Sequence, residues 1–294
     1  MRKFVLLAVL GAVACVSWTD DSEAGWRRRR ACYCPCDVSP YYVTAPAAPP
    51  PSRMPAKPVL ETEVIQVPSG RMHRLHTIDD VGWQEPRGDQ PPEAPAAPGA
   101  PAAPAAPAAV GETFAGTDRE AAKTSIATAP VQAFPDLDAV LATLPEDDFM
   151  RNDHTPPISK NRNSGRVDEE KRNVSVVAYL VATKKENDND YHLILATTPD
   201  GDGPYMTAEV SALPRMGPAA DKSRLASARE EYRVLLQRRM PGPRYKILDP
   251  PLAVSVTGSL FFDMDHVAGV VGTGQFKPAT SWEIHPVTSI THAP

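Results

Sequence analysis

Two tracts, APAAPPPSRMPAKP (45–58) and PPEAPAAPGAPAAPAAPAAV (91–110), decide where this chain can fold. Proline locks φ and lacks an amide proton, and alanine buries almost nothing, so such tracts favour extended, semi-rigid polyproline II. The APAAPAAPAA period carries no large apolar residue to stack, which makes it a spacer and excludes a solenoid. Proline accounts for 33 of the 294 residues, well above the usual share of roughly 5%, and it is clustered. Residues 38–131 are therefore expected to form a disordered Pro/Ala-rich linker. Between the tracts, ETEVIQVPSGRMHRLHTIDDVGWQ (61–84) offers Val64, Ile65 and Val67 as a transient strand, and disorder is the expectation there too. At ~3.1 Å per residue the linker reaches on the order of 200 Å if mostly extended. Reach is itself a candidate function.

The N-terminus has the pattern of an export signal over residues 1–24. MRK is a short positive segment, and FVLLAVLGAVACV is an apolar run too short to span a bilayer comfortably. Two processing sites compete: a lipoprotein-type box ending at Cys15, with Ala where Leu is usual, and cleavage after Ser22-Glu23-Ala24. Lipidation of Cys15 would anchor the chain to a membrane. Residues 25–37 form an Arg/Cys-rich head in which Cys32, Cys34 and Cys36 follow Arg27 to Arg30. Export places these thiols in an oxidising space, and their odd number points to an intermolecular disulfide or surface attachment ahead of a cramped zinc site. The expected location is the periplasm, cell envelope or exterior.

Foldable sequence begins at FPDLDAVLATLPEDDFM (134–150), where Asp136 caps a helix with Leu137, Val140, Leu141 and Leu144 on one face. A polar, Pro-punctuated arm completes a 134–166 connecting region. The domain proper spans 167–294. VSVVAYLVAT, YHLILATT and PYMTAEVSAL alternate or run apolar as strands, separated by KKENDND and PDGDG turns. ADKSRLASAREEYRVLLQRRM then places Leu225, Ala228, Tyr232, Leu235 and Leu236 on one stripe, with Asp221 as candidate N-cap. LAVSVTGSLFFD and SWEIHPVTSI follow as strands. Three strands, a helix and two strands make a mostly β chain and match the small five-stranded OB-like barrel, with one helix between strands 3 and 4. Aromatic residues are 6% of the chain, enough for one modest core.

VTGSLFFDMDH followed by WEIHPV, with Asp190, His192 and Leu193, resembles an uncharacterised domain of exported bacterial proteins that carries an OB-like barrel. The resemblance covers the C-terminal domain only. It implies a fold and an exported location, and no particular activity.

Acidic residues and histidines gather in three segments: Asp188, Asp190 and His192; Asp263, Asp265 and His266; Glu283 and His285. Strand alternation puts Glu283 and His285 on one face, opposite Trp282 and Ile284. If the strand ends meet at one rim, His192, Asp263, His266, Glu283 and His285 form a ligand-binding group. Asp190, His192, Asp263, Asp265 and His266 are then candidate ligands for Mn, Ca or Zn, able to activate water for phosphodiester hydrolysis. The plainer alternative is that Asp and Asn bond to turn amides beside the hairpins. No pair of histidines has a spacing as specific as HExxH, and no serine sits in a nucleophile elbow. The strands lack the arginines that thermonuclease-type OB enzymes place on a phosphate; Arg224, Arg229, Arg233, Arg238 and Arg239 sit on the helix instead. Single-stranded nucleic acid is allowed by the fold, but a net charge of −5 supplies no attracting field. The sequence therefore favours an exported, tethered, non-catalytic module that binds protein or an envelope polymer and needs no cofactor. A metal-dependent hydrolase is the alternative.

Overall fold

The computed structural model describes residues 57–80 and 112–293. The expected export signal, Cys15, the expected head with Cys32, Cys34 and Cys36, and the rest of the expected linker lie outside the described residues.

The chain order is β1 (Val59–Gln66), β2 (Met72–Ile78), α1 (Glu120–Lys123), β3 (Val131–Phe134), α2 (Leu137–Leu141), β4 (Asn173–Lys185), β5 (Tyr191–Ala196), β6 (Tyr205–Val210), α3 (Ala219–Leu235), β7 (Lys246–Phe262) and β8 (Pro278–His292). The strands pair β4–β5–β6–β8–β7, and β7 returns to β4, which closes a five-stranded barrel. Every neighbouring pair is antiparallel except β6 and β8. This is the OB-like barrel expected from the strand and helix order, and closure leaves it no free edge.

Alternation fills the interior. Val174, Val176, Ala178 and Leu180 point inward from β4, Leu193 and Leu195 from β5, and Met206, Ala208 and Val210 from β6. Leu252, Val254, Val256, Leu260 and Phe262 from β7 meet Trp282, Ile284, Val287 and Ile290 from β8. Each such side chain contributes about 1.5–3 kcal/mol when fully buried. The helix α3 presents Leu225, Ala228, Tyr232 and Leu235 to the protein, as its period requires. The Tyr232 hydroxyl lies 2.6 Å from that of Thr183. Asp221 falls inside the first turn, and the residue at the N-cap is Pro218, so the expected Asp221 cap is not made. Where β7 and β8 shift register, Gly258 is required: a Cβ there would lie 2.5 Å from the Pro286 carbonyl oxygen.

The expected linker holds more structure than its composition announced. Residues 59–78 form a hairpin turned by Gly70 at φ +84°. Its second strand pairs with β7 from Arg74↔Asp249 to Thr77↔Lys246. Ile65 and Leu75 join the barrel core, and Ile78 packs with Tyr245 and Ile247. An isolated hairpin is marginal in water; this one is held because β7 extends past the barrel and offers it an edge. The linker's other end, 112–131, also belongs to the domain. Helix α2 is shorter than the stripe suggested, although Asp136 caps it as expected, accepting from the Ala139 amide at 2.8 Å.

Candidate functional site

On β5, β6 and β8 the residues between the inward ones face out of the barrel, and on one side they are charged. Register places His192 opposite Glu209, Thr207 beside Glu283, and Phe261 beside Glu283. This is the strand 2–3 face of the OB barrel, flanked by the first hairpin loop and the loop after strand 4, where such barrels bind ligands. Such a face is ordinarily solvated. Here His192, Glu209, His285 and Asp190 have no exposed surface.

The cover is segment 112–130. It enters by hydrogen bonds from the Phe114 amide to Leu213 O (2.9 Å) and from the Ala115 amide to Asp188 O (2.9 Å). Arg119 grips Glu170 with two bonds of 2.7 Å, and its guanidinium stacks on Phe261 at 4.8 Å. From α1, Lys123 reaches Asp263 at 2.9 Å. The segment leaves by the Ala127 amide bonding to Ser259 Oγ at 2.9 Å, while Asn173 Nδ2 donates to the Ala127 and Ala129 carbonyls at 2.7 Å. The connecting arm adds two staples. Arg166 donates to the carbonyls of Leu260 (2.5 Å) and His285 (2.8 Å), and Arg151 to Met264 O (2.8 Å) and to His266 O.

Beneath the cover, imidazoles and carboxylates alternate. His285 sits between Asp190, 3.3 Å from Nε2, and Glu209, 2.8 Å from Nδ1, with Glu283 at 3.4 Å. His192 Nδ1 faces Glu209 and Glu186, each at 3.2 Å. His266 Nδ1 makes a short bond to Glu283, with Asp263 at 3.9 Å, and its ring lies edge-on to His192, centroids 5.7 Å apart. The three histidines thus belong to one connected group.

Charge pairing beats burial for most of these groups. Burial pushes His192 down, but Glu186 and Glu209 outweigh it and raise its pKa to about 9. His285 is raised well above the usual imidazole value against the same burial, chiefly by Glu209. Lys123 is raised, against burial, by Asp263, Glu209 and Glu283. Burial alone would raise Glu209 and Asp263, yet His285 holds Glu209 well below the carboxylate range and Lys123 does the same for Asp263. Asp188 goes the other way: burial, then Asp190 and Glu186, push it well above its ordinary value.

Of the residues singled out from sequence, His192, Asp263, His266, Glu283 and His285 converge. Asp190 joins through His285 and not through Asp263. Asp265 does not join: it points to Lys160, 28% exposed, because its amide closes the turn on Asp263 Oδ1 at 2.7 Å. The Asp188 side chain likewise bonds the Asp190 amide at 3.1 Å, the turn chemistry that a plain hairpin predicts. Three members were missed: Glu209, Glu186 and Lys123. Glu209 had one available signal, a carboxylate alternating with Met206, Ala208 and Val210 in a strand bracketed by His192 and His285.

Among the described residues, three sets of donors lie close enough to hold a cation: Glu186, His192, Glu209 and His266; Asp190, Glu209 and His285; and Asp263, His266 and Glu283. Base stacking needs exposed rings; of the aromatic residues on the barrel strands, Tyr191, Phe261, Phe262 and Trp282 are buried, and Tyr179 and Tyr205 are partly buried. Comparison with protein-family models, curated proteins and solved structures gives no match.

Proposed function

We propose that this is an exported, tethered, non-catalytic module of the cell envelope, which binds protein or an envelope polymer through a rigid OB-like domain on a Pro/Ala spacer. One observation carries the non-catalytic part. The imidazole–carboxylate group that a hydrolase would use lies under the protein's own segment 112–130, with His192, Glu209 and His285 at 0% exposure. A general base or activated water must come within bonding reach of its substrate, and no substrate reaches His192, Glu209 or His285 while Arg119 and Lys123 stay in place. The N-terminal pattern and the proline tracts support export and reach.

The metal-assisted hydrolase is kept as a second reading because five residues named from sequence do meet. It requires 112–130 to lift. The purified full chain is assayed on bis(p-nitrophenyl) phosphate with Mn, Ca or Zn, beside a Glu283→Gln variant. The binding-module reading expects no turnover above the variant. Turnover that disappears in Glu283→Gln would overturn it.

A further inference from the structure

We propose that Glu186, His192, Glu209 and His266 form a closed, structural binding site for a divalent first-row cation, with zinc the best match. One donor atom from each of the four lies within 4.8 Å of all the others. A tetrahedral ion with ligands at about 2.0–2.2 Å sets neighbouring donors roughly 3.3 Å apart. His192 Nδ1 already stands 3.2 Å from an oxygen of Glu186 and 3.2 Å from one of Glu209. Charge-assisted hydrogen bonds to a carboxylate are shorter, about 2.7–2.9 Å, a range that His285 reaches with Glu209 at 2.8 Å and not with Asp190 or Glu283 at 3.3 and 3.4 Å.

Proton supply points the same way. Nδ1 carries at most one hydrogen and faces two carboxylates. Glu186 Oε1 is buried without a hydrogen bond, with the Lys184 ammonium 3.4 Å away. Buried atoms without a hydrogen bond occur in the other two sets as well, at Asp190 Oδ2, Glu209 Oε2, His285 Nε2 and Asp263 Oδ2, but each of those sets offers three donors against four here. His285 has a carboxylate on each nitrogen, and Asp263 holds the Lys123 ammonium. Two neutral imidazoles and two carboxylates sum to −2, which a divalent ion offsets in a largely buried site that also holds the Lys184 ammonium. The mixed nitrogen and oxygen set suits zinc better than calcium. Glu283 bonds the His266 ring from behind, the outer carboxylate that orients a metal-bound imidazole. Four protein ligands leave no open position, so the ion would lock the 186–190 turn to the loop after β7 and perform no chemistry.

The site is independent of the binding-module reading, whose own assay is phosphodiester turnover. The test is calorimetric titration of the chelator-treated full chain, with Cys15, Cys32, Cys34 and Cys36 replaced by Ser so that no thiolate competes. Zinc, manganese and calcium are titrated separately. One equivalent of zinc is expected to bind, more tightly than the other two ions. Glu186→Gln and His266→Gln are each expected to weaken zinc at least a hundredfold, and Asp265→Asn to leave it unchanged. If His266→Gln fails to fold, Glu186→Gln decides, since that residue lies in the hairpin turn. Absence of zinc binding, or unaltered binding in Glu186→Gln, overturns the proposal.

Discussion

Arg119→Met tests whether segment 112–130 is held down by a buried charge. The Glu170 carboxylate is fully buried and takes four bonds: two from Arg119 at 2.7 Å, one from the Phe262 amide at 3.0 Å and one from the Val167 amide at 2.9 Å. Met keeps the apolar stem of Arg and, like it, is an unbranched L residue at the left-handed φ of 49°, so the change removes the guanidinium. Without it, the carboxylate keeps two amides and loses its directly bonded counter-charge. Breaking a buried pair from one side costs about 3–5 kcal/mol, a large part of the roughly 5–15 kcal/mol that holds a typical domain folded. Urea unfolding should show that loss with an unchanged slope, and hydrogen exchange at 112–127 should accelerate. Adding Glu170→Gln should restore part of the stability, because the uncompensated charge is gone while its oxygen still accepts an amide. A loss below about 1 kcal/mol, or no recovery in the double variant, would refute the argument.

Leu75→Ala probes the hairpin that composition concealed. Leu75 is fully buried against the barrel core, so urea unfolding should report a loss of about 2–5 kcal/mol; a surface-like effect below about 0.5 kcal/mol would detach 57–80 from the domain. His154 gives a pH test away from the polar group. Its hydrogen bond to the Pro156 carbonyl, and secondarily Glu169, raise its pKa above 6.5. A raised folded value means its contribution is complete below 6.5 and fades as pH climbs through the folded midpoint. The NMR titration midpoint should lie above 6.5 and fall partway in Glu169→Gln, since the Pro156 bond remains.

The parts of the fold that answer to one neighbour at a time were legible. The valine run of β4, the Asn/Asp turn after it and the apolar stripe of α3 each declare themselves by period, and their order alone names the barrel. What was hidden depends on partners far away in sequence. Segment 112–131 follows an alanine-rich tract and buries Phe114, Arg119 and a few small residues. It is pinned by Arg119 to Glu170 and by Lys123 to Asp263, contacts that leave no hydrophobic period to detect.

That cover is also what changes the meaning of Glu209. Beside Met206, Ala208 and Val210 it has the place of an ordinary solvent-facing residue in a half-buried strand. The same alternation serves a buried face when a polar chain lies over it, and the strand itself cannot tell the two apart. The distinguishing mark is chemical. Solvated strand faces carry long, well-hydrated Lys or hydroxyls, whereas this face repeats carboxylate and imidazole two apart, at Asp190 and His192 and again at Glu283 and His285. Those are groups that can pair, share protons and stay ionised without water. Two such doublets on strands that a barrel brings within one pairing of Glu209 imply that something covers them, and the covering segment is to be sought among residues that carry lysine and arginine.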